Sequence, residues 1–178
     1  MGRAVSESGL AATIYRCGSV TASACTGVAN RDDFASRYIE SCFELSMSVD
    51  CPALFETIPV DTCANIIAAI ACSADARPLV LPIANPASLS YADLARELHA
   101  LDARVRAVDA ATFALAVSRS RCRLRPLSLA LQDSSWFAEE PIDPCVATAA
   151  AAGMRSLAKP LGREYISQWV RALGIAVA

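Results

Sequence analysis

An apolar repeat that follows Ser90 constrains the fold more than any other feature of this sequence. From Leu94 to Leu115, apolar side chains recur in steps of four and three residues. Such steps place the side chains on one face of an α-helix, because each helical residue turns the chain by about 100°. Ser90 followed by Asp93 matches a capping box, with Asp in place of the usual Glu or Gln. The pattern predicts one long helix over residues 90–118, roughly 40 Å in length.

This long helix can bury its apolar face in two ways. It can pack as one member of a helical bundle, or it can pair with a second copy as a coiled coil through residues 94–115. Glu97 and Asp102 flank the apolar stripe, and these carboxylates do not complement each other in a parallel pair. The bundle helix is the preferred interpretation, and self-association through the stripe stays open as the alternative.

Other helices are indicated by capping residues and by apolar stripes at helical spacing. A helix that is apolar on every side is typical of a buried, central position. The segments concerned are Asn30 with a stripe of Phe34, Tyr38, Cys42, Leu45 and Val49; Asp61 or Thr62 with Ile66, Ile67 and Ile70; Asp143 and Pro144 with an alanine tract to about Leu157; and a final stripe of Ile166, Trp169, Val170, Leu173 and Val177.

Three prolines, Pro78, Pro82 and Pro86, divide the helical patterns into two groups. Proline fixes its own φ and restricts the preceding residue, so this stretch cannot be a long helix. A short extended segment from Leu79 to Ile83 fits here. We therefore predict an all-α fold, a single-domain bundle of about six helices with one long central helix over residues 1–178. Its sub-lobes are a cysteine-rich 1–77 and a long-helix lobe 90–178, joined by a hinge at 78–89.

Composition narrows the class of protein. Hydrophobic residues make up 54% and charged residues 19% of the 178 residues, which excludes disorder over most of the length. The net charge of -2 argues against a surface devoted to nucleic acid or anionic membrane. The apolar runs are too short to span a bilayer. Glu7 and Arg16 make the start a poor signal peptide, so an intracellular protein is preferred and a secreted one is the alternative.

The cysteines exclude common metal sites more firmly than they indicate disulfides. Six of the eight lie between Cys17 and Cys72, none is spaced as C-x-x-C, and there is one histidine. Zinc and iron-sulfur sites need clustered ligands, so we predict no metal and no cofactor. Cys17, Cys25 and Cys51 fall where turns are expected and are the candidate disulfide cysteines. Cys42, Cys63 and Cys72 fall on helices, where free thiols act as small apolar residues.

The sequence offers no catalytic motif. It has no glycine-rich phosphate loop, no G-x-S-x-G elbow and no H-E-x-x-H. A dyad of His99 with an exposed thiol is formally available, but one histidine on the polar side of a helix is typical of a solvated residue. We therefore predict no catalytic residues.

Alternating arginines form the one surface motif. Arg119, Arg121, Arg123 and Arg125 lie near the end of the predicted long helix. Guanidinium groups bind phosphates, an RNA backbone or an acidic partner. They also favour a helix C-terminus, and the acidic segment 139–143 could neutralise them within the chain. Intramolecular pairing is preferred, an acidic protein partner comes next and nucleic acid comes last.

These features together predict a non-catalytic interaction module. It would act as an adaptor, an inhibitor or an assembly subunit through a helical surface or groove, with a protein partner and with homo-oligomers open. A secreted, disulfide-stabilised helical ligand or inhibitor is the alternative function. An enzyme of unknown chemistry is the third.

Overall fold

A computed structural model describes residues 13–72, 80–85, 87–131, 133, 137 and 161–176. Within these residues the chain alternates short strands with helices, so the all-α prediction is wrong. The elements are β1 (Ile14–Cys17), β2 (Ser19–Thr21), α1 (Phe34–Leu45), β3 (Met47–Val49), β4 (Leu54–Phe55), β5 (Thr57–Pro59), α2 (Val60–Cys72), β6 (Val80–Ile83), β7 (Leu89–Ser90), α3 (Tyr91–Leu101), β8 (Arg106–Val108), α4 (Ala110–Arg119), a 3₁₀ turn (Arg125–Leu127), α5 (Ser128–Leu131) and α6 (Arg163–Ala172).

The strands pair mainly in parallel. β1 pairs with β6, β2 with β5 and β3 with β8 in parallel, whereas β4 and β7 are antiparallel. β1 and β2 are separated by Gly18 alone, so one extended segment borders β6 first and β5 afterwards. Parallel strands need crossover connections, which here contain the helices. This arrangement is α/β.

The strands are hard to see in the sequence because each has between two and four residues. Such runs are too short to show a period of two, and buried parallel strands lack polar alternation in any case. Pro82 lies inside β6 and pairs in register with Arg16. A strand that pairs on one side tolerates proline. The predicted extended segment at 79–83 is confirmed as β6 over its described residues, 80–83.

The predicted long helix over 90–118 is wrong, because a strand interrupts it. α3 ends at Leu101, and its C-cap is Asp102, whose backbone is extended and whose carboxylate accepts from the Arg104 N–H at 2.9 Å. β8 follows, and Asp109 then caps α4 by accepting from the Thr112 N–H at 2.9 Å. The apolar repeat runs through this break because Val105, at a repeat position, is buried in the same core. A coiled coil through 94–115 has no continuous helix to form it.

Several local predictions are confirmed. The capping box is present, since the Ser90 hydroxyl accepts from the Asp93 N–H at 3.0 Å and the Asp93 carboxylate accepts from the Ser90 N–H at 3.1 Å. The last helix docks onto the body with Trp169 fully buried. The cap of α1 is Asp33 instead of Asn30, because the Asp33 side chain accepts from a backbone N–H of the first turn. The helix predicted from Asp143 lies outside the described residues.

Two apolar cores hold these elements. The main core contains buried side chains of α1, α3, α4 and α6, with β3 and β4 between them. The smaller core packs α2 against β5, β6 and β1 through Ile58, Cys63, Ile66, Ile70, Leu81 and Ile83. The predicted lobe 1–77 contributes to both cores, and the single-domain prediction over 1–178 stays a prediction. No helix in the described part of the chain has the length and apolarity needed to cross a membrane.

Candidate functional site

Residues 22–28, here called loop 22–28, follow the carboxyl end of β2. In parallel α/β sheets, ligands bind outside the carboxyl ends of the strands. The loop closes on itself, since the Gly27 N–H donates to the Ser23 carbonyl at 2.8 Å and the Ser23 N–H donates to the Val28 carbonyl at 3.0 Å. The loop is therefore a fixed feature at the expected position of a site.

Asp61, in the first turn of α2, holds this loop. Its carboxylate accepts from the N–H groups of Ala24 at 3.1 Å and Cys25 at 3.2 Å, and from the Ser23 hydroxyl at 3.3 Å. Burial by itself raises the pKa of Asp61, but these donors and the Thr62 N–H outweigh it and lower the pKa below its usual value. Asp61 is therefore ionised at neutral pH and anchors the loop as a charged acceptor.

Tyr165 of α6 reaches the loop from the opposite side. Its hydroxyl donates to the Ala22 carbonyl at 3.1 Å and lies 2.9 Å from the Thr21 hydroxyl. Burial raises the pKa of Tyr165 well above its ordinary range, so the phenol is neutral. Because its proton is engaged by a backbone carbonyl, Tyr165 positions the loop and is not a free proton donor.

Gly27 lets the loop contact α6 closely. Its φ is +72°, in the left-handed region that favours glycine. A Cβ at this position would stand 2.4 Å from the Gln168 carbonyl oxygen, far inside contact distance. Only glycine fits here, and α6 and loop 22–28 therefore form one packed unit. We call these contacts of loop 22–28 with Asp61 and α6 the junction.

A cavity of about 360 Å³ opens between the junction and the start of α6. The Gln168 side-chain carbonyl is buried there and has no hydrogen-bond partner in the described part of the chain. The Arg163 guanidinium pairs with Glu97 at 2.9 Å. The Gln168 amide, the Arg163 guanidinium and the Glu164 carboxylate around one space fit a ligand with both hydrogen-bond donors and acceptors. The lining residues are Ala24, Leu161, Gly162, Arg163, Glu164, Tyr165 and Gln168.

A second, more apolar groove of about 640 Å³ runs along α4. Alanines and Leu115 form most of its wall, and Leu115 is 48% exposed. The groove carries no charged side chain among its lining residues, so it lacks the groups that would orient a polar ligand. The lining residues are Ala110, Ala111, Ala114, Leu115, Ser118, Leu131 and Phe137.

The arginine motif lies apart from the junction, after α4. Arg123 donates to the buried Glu40 carboxylate at 3.0 Å and to Asp32 at 3.3 Å. Arg125 donates to the Ser120 carbonyl at 3.0 Å. Arg119 and Arg121 are exposed. The geometry gives Arg123 an intramolecular role on α1, while binding of a partner through this motif stays a prediction.

Arg123 finds its acidic partners on and before α1, whereas the acidic segment 139–143 lies outside the described residues. Its backbone N–H also donates to Glu44 of α1 at 3.0 Å. Glu40 is shared, because Arg31 donates to the other oxygen of its carboxylate. Two guanidinium groups thus neutralise one buried carboxylate, which fixes residues 120–124 against α1.

The candidate disulfide cysteines lie on different parts of the fold, at the end of β1, in loop 22–28 and after β3. Cys17, at the end of β1, is exposed, and its sulfur lies 3.5 Å from the sulfur of Cys63. Cys25 is exposed in loop 22–28. Cys51 is half-buried and packs against the main core. Cys42 is fully buried, and that burial raises its pKa to about 12. The structure thus places Cys17 next to Cys63 of α2, which was not among the candidate disulfide cysteines.

His99 lies on the exposed face of α3, with its Nδ1 atom 2.8 Å from the Val105 carbonyl. This contact ties α3 to the segment before β8. In the described residues, no three histidine, cysteine or acidic side chains are grouped closely enough to hold a metal ion.

Comparisons with known proteins assign the fold. An NAD-binding family described as male sterility protein matches residues 1–67. The terminal R domain from the myxalamid PKS-NRPS biosynthetic pathway superposes with a TM-score of 0.81 at 21% identity, covering 96% of this chain and 45% of that one. A thiolation-reductase di-domain from an archaeal non-ribosomal peptide synthetase superposes with a TM-score of 0.72 at 19% identity. The match covers 97% of this chain and 38% of that one. No curated protein matches the sequence.

The chain thus shares the α/β, Rossmann-like fold of these reductase domains and spans less than half the length of either structure. The family match and the two reductase-type structures overturn the prediction of a non-catalytic interaction module. They also overturn the preference against an enzyme. The prediction was wrong because a sequence can belong to an enzyme without containing one of the short catalytic motifs that were sought.

The helices that follow described strands do not fit the pyrophosphate of a dinucleotide, whereas α6 begins at Gly162 without a side-chain cap and follows residues outside the described ranges. Such a group binds a glycine-rich turn at a helix N-terminus. β5 passes directly into α2, and the Asp61 carboxylate occupies the first turn of that helix. α1 and α4 begin with the carboxylates of Asp33 and Asp109. A second negative charge at these helix ends would be repelled, so no described strand-to-helix turn provides the cradle.

Sequence reasoning missed the junction almost entirely. Asp61 was recognised as a helix start, but nothing in its spacing connects it with loop 22–28. Gly27 was the available signal, because an isolated glycine after a strand marks a turn or a close backbone approach. Tyr165 and Gln168 lie on α6, and their distance in sequence from the loop hides the contact.

Proposed function

We propose that this chain is part of an NAD(P)-dependent reductase domain that acts on an acyl thioester linked to a carrier. The observation that carries the proposal is the TM-score of 0.81 to a terminal R domain over 96% of this chain. The NAD-binding family match over residues 1–67 points to the same class. In the second similar structure a thiolation domain is joined to the reductase, which suggests a carrier-bound substrate here too.

Within such a domain, we assign these residues to the binding of the thioester substrate. The pyrophosphate does not fit the described turns, whereas the cavity at the junction has room for a small polar ligand. Its volume of about 360 Å³ lies in the range of small-molecule sites. The Gln168 side-chain oxygen can accept a hydrogen bond from an amide N–H next to the thioester, and doing so relieves a buried unpaired acceptor.

The proposal also names a partner and a compartment. A carrier protein bearing the acyl thioester takes the place of the general protein partner predicted from the sequence. We infer an intracellular setting, because the similar structures are biosynthetic domains. The exposed Arg119 and Arg121 remain available for contact with an acidic partner, and nucleic acid has no support from the comparisons.

Calorimetry with octanoyl-N-acetylcysteamine, a small acyl thioester, tests the assignment on the full chain. We expect saturable binding, and we expect Gln168→Leu to weaken it about tenfold because one hydrogen bond is lost. Arg171→Gln is the matched control, since Arg171 is an exposed residue of the same helix that does not line the cavity. Its affinity should stay within about twofold of wild type, well under the 1.4 kcal/mol of a tenfold change.

Two outcomes would count against the assignment. One is the absence of thioester binding by a folded chain, checked by circular dichroism. The other is equal weakening by Gln168→Leu and Arg171→Gln, because that would indicate a general effect on α6. The free thiol, N-acetylcysteamine, keeps the amide but lacks the acyl group. Competition by this thiol as strong as that by the thioester would show that the acyl group adds no affinity, and would contradict recognition of the thioester.

A further inference from the structure

We propose that Cys17 and Cys63 form a thiol pair that a low-molecular-weight disulfide such as glutathione disulfide converts into an intramolecular disulfide. Their sulfur atoms lie 3.5 Å apart although the residues are 46 positions apart in sequence. The pair joins the carboxyl end of β1 to the first turns of α2. This modification does not depend on the proposed reductase function.

The geometry brings the two sulfurs close to bonding distance. A disulfide bond measures about 2.05 Å, so the sulfurs need to approach by about 1.5 Å. Cys17 is exposed at the end of a strand, and a rotation of its side chain can supply most of that movement. Cys63 is buried in the smaller core at 4% exposure, so its position is fixed by packing. An exposed thiol therefore faces a buried one.

The exposure of the two thiols sets the order of the exchange. The Cys17 sulfur, as a thiolate, attacks one sulfur of glutathione disulfide, which releases one glutathione thiolate and leaves a mixed disulfide. The Cys63 thiol then gives up its proton and attacks the Cys17 sulfur, which releases the second glutathione. Two protein thiols are oxidised, one glutathione disulfide is reduced to two glutathiones, and the two thiol protons pass to them.

Burial and the neighbouring Cys17 thiol raise the pKa of Cys63 to about 11, which makes Cys63 the slower nucleophile. It attacks efficiently only a sulfur already in contact with it. Cys25 and Cys72 are also exposed, yet neither has a second cysteine within bonding contact among the described residues. They can take up glutathione, but they lack a resolving thiol. The structure thus separates a cross-linking pair from two singly modifiable thiols.

The test treats the full chain with glutathione disulfide, blocks the remaining thiols under denaturing conditions and maps the bonds by mass spectrometry. Wild type should show a peptide with Cys17 linked to Cys63 and no glutathione on Cys17. Cys63→Ser should retain glutathione on Cys17, because the resolving thiol is gone. Cys17→Ser should leave Cys63 unmodified, and Cys25→Ser, the matched control for an exposed thiol, should cross-link like wild type.

Thermal unfolding gives a second measurement. Closing a loop of this length should raise the Tm by roughly 5–15 °C, and dithiothreitol should reverse the rise. A Cys17–Cys25 bond in wild type would overturn the proposal, as would stable glutathione on Cys17 beside a free Cys63. A cross-link that lowers the Tm would show that it does not fit the native fold. Cys17→Ser, at an exposed position, keeps the test informative if Cys63→Ser fails to fold.

Discussion

The centre of the main core and the junction are held together by different forces. In the main core, the rings of Tyr38, Phe55, Tyr91 and Phe113 lie with centroids 5.2–5.6 Å apart, and apolar burial dominates. At the junction, one carboxylate, one phenol and one glycine hold a loop through hydrogen bonds and close backbone contact. The two regions therefore fail for different reasons: the core is sensitive to lost volume, whereas the junction is sensitive to the loss or addition of single atoms.

Phe113→Ala should give the largest loss of stability among these variants, because Phe113 is fully buried in the main core. Removal of a buried phenylalanine ring costs about 3–5 kcal/mol through lost burial and the cavity left behind. Urea unfolding followed by circular dichroism measures the change. A loss below about 1 kcal/mol would mean that this region is not close-packed, and the contrast with the junction would disappear.

Gly27→Ala should lower the free energy of unfolding nearly as much as Phe113→Ala does, although it adds only a methyl group. The left-handed φ and the 2.4 Å approach to the Gln168 carbonyl both oppose a Cβ, so we expect a loss of about 2–4 kcal/mol. Gly162→Ala is the matched control, since a Cβ there meets nothing within 4 Å. Similar urea midpoints for the two variants would contradict the close contact between loop 22–28 and α6.

Asp61→Asn should cost about 1–3 kcal/mol at neutral pH, because a charged acceptor of several hydrogen bonds becomes neutral. The folded pKa of Asp61 is lowered, so its contribution is fully present above an unfolded value near 4 and is lost as pH falls through the folded pKa. The stability difference between wild type and variant should therefore be constant from about pH 5 upward and shrink below pH 4. A stability difference that grew as the pH fell would contradict a lowered pKa for Asp61 in the folded state.

The arginines supply the smallest expected effects. Arg123→Gln should lower the free energy of unfolding by about 1 kcal/mol, because it removes one of the two guanidinium partners of the buried Glu40. The effect is small because Arg123 is 42% exposed and water screens the pair. Arg121→Gln should change stability by less than about 0.5 kcal/mol. Thermal melts of both variants in low and high salt measure the difference. Equal effects would show that Arg123 has no special role in fixing residues 120–124.

The sequence predicted the helices far better than their arrangement. The Ser90 capping box and the apolar face around Trp169 are local, so their residue types and spacing suffice. The break at Asp102, by contrast, depends on contacts between residues that are far apart in the chain. Val105 keeps the helical repeat in phase while lying before a strand, and the pairing of β8 with β3 is formed by residues far apart in the chain.

The candidate site could be predicted only in fragments. Gly27 and Asp61 each carry a local signal, a turn and a helix start, but their meeting depends on β2 pairing with β5 and on α6 packing across the loop. Cys17 and Cys63 meet for the same reason, since β1 and α2 adjoin through the smaller core. Contacts between distant segments come from strand pairing, and strands of two to four residues leave almost no pattern to detect.

The most direct test of the central claim is a titration of isotope-labelled chain with octanoyl-N-acetylcysteamine, followed by amide chemical shifts. We expect the largest changes in chemical shift in loop 22–28 and in residues 161–168, with the Gln168 side-chain amide among them. Shifts confined to the apolar groove along α4, or none at saturating thioester, would contradict it.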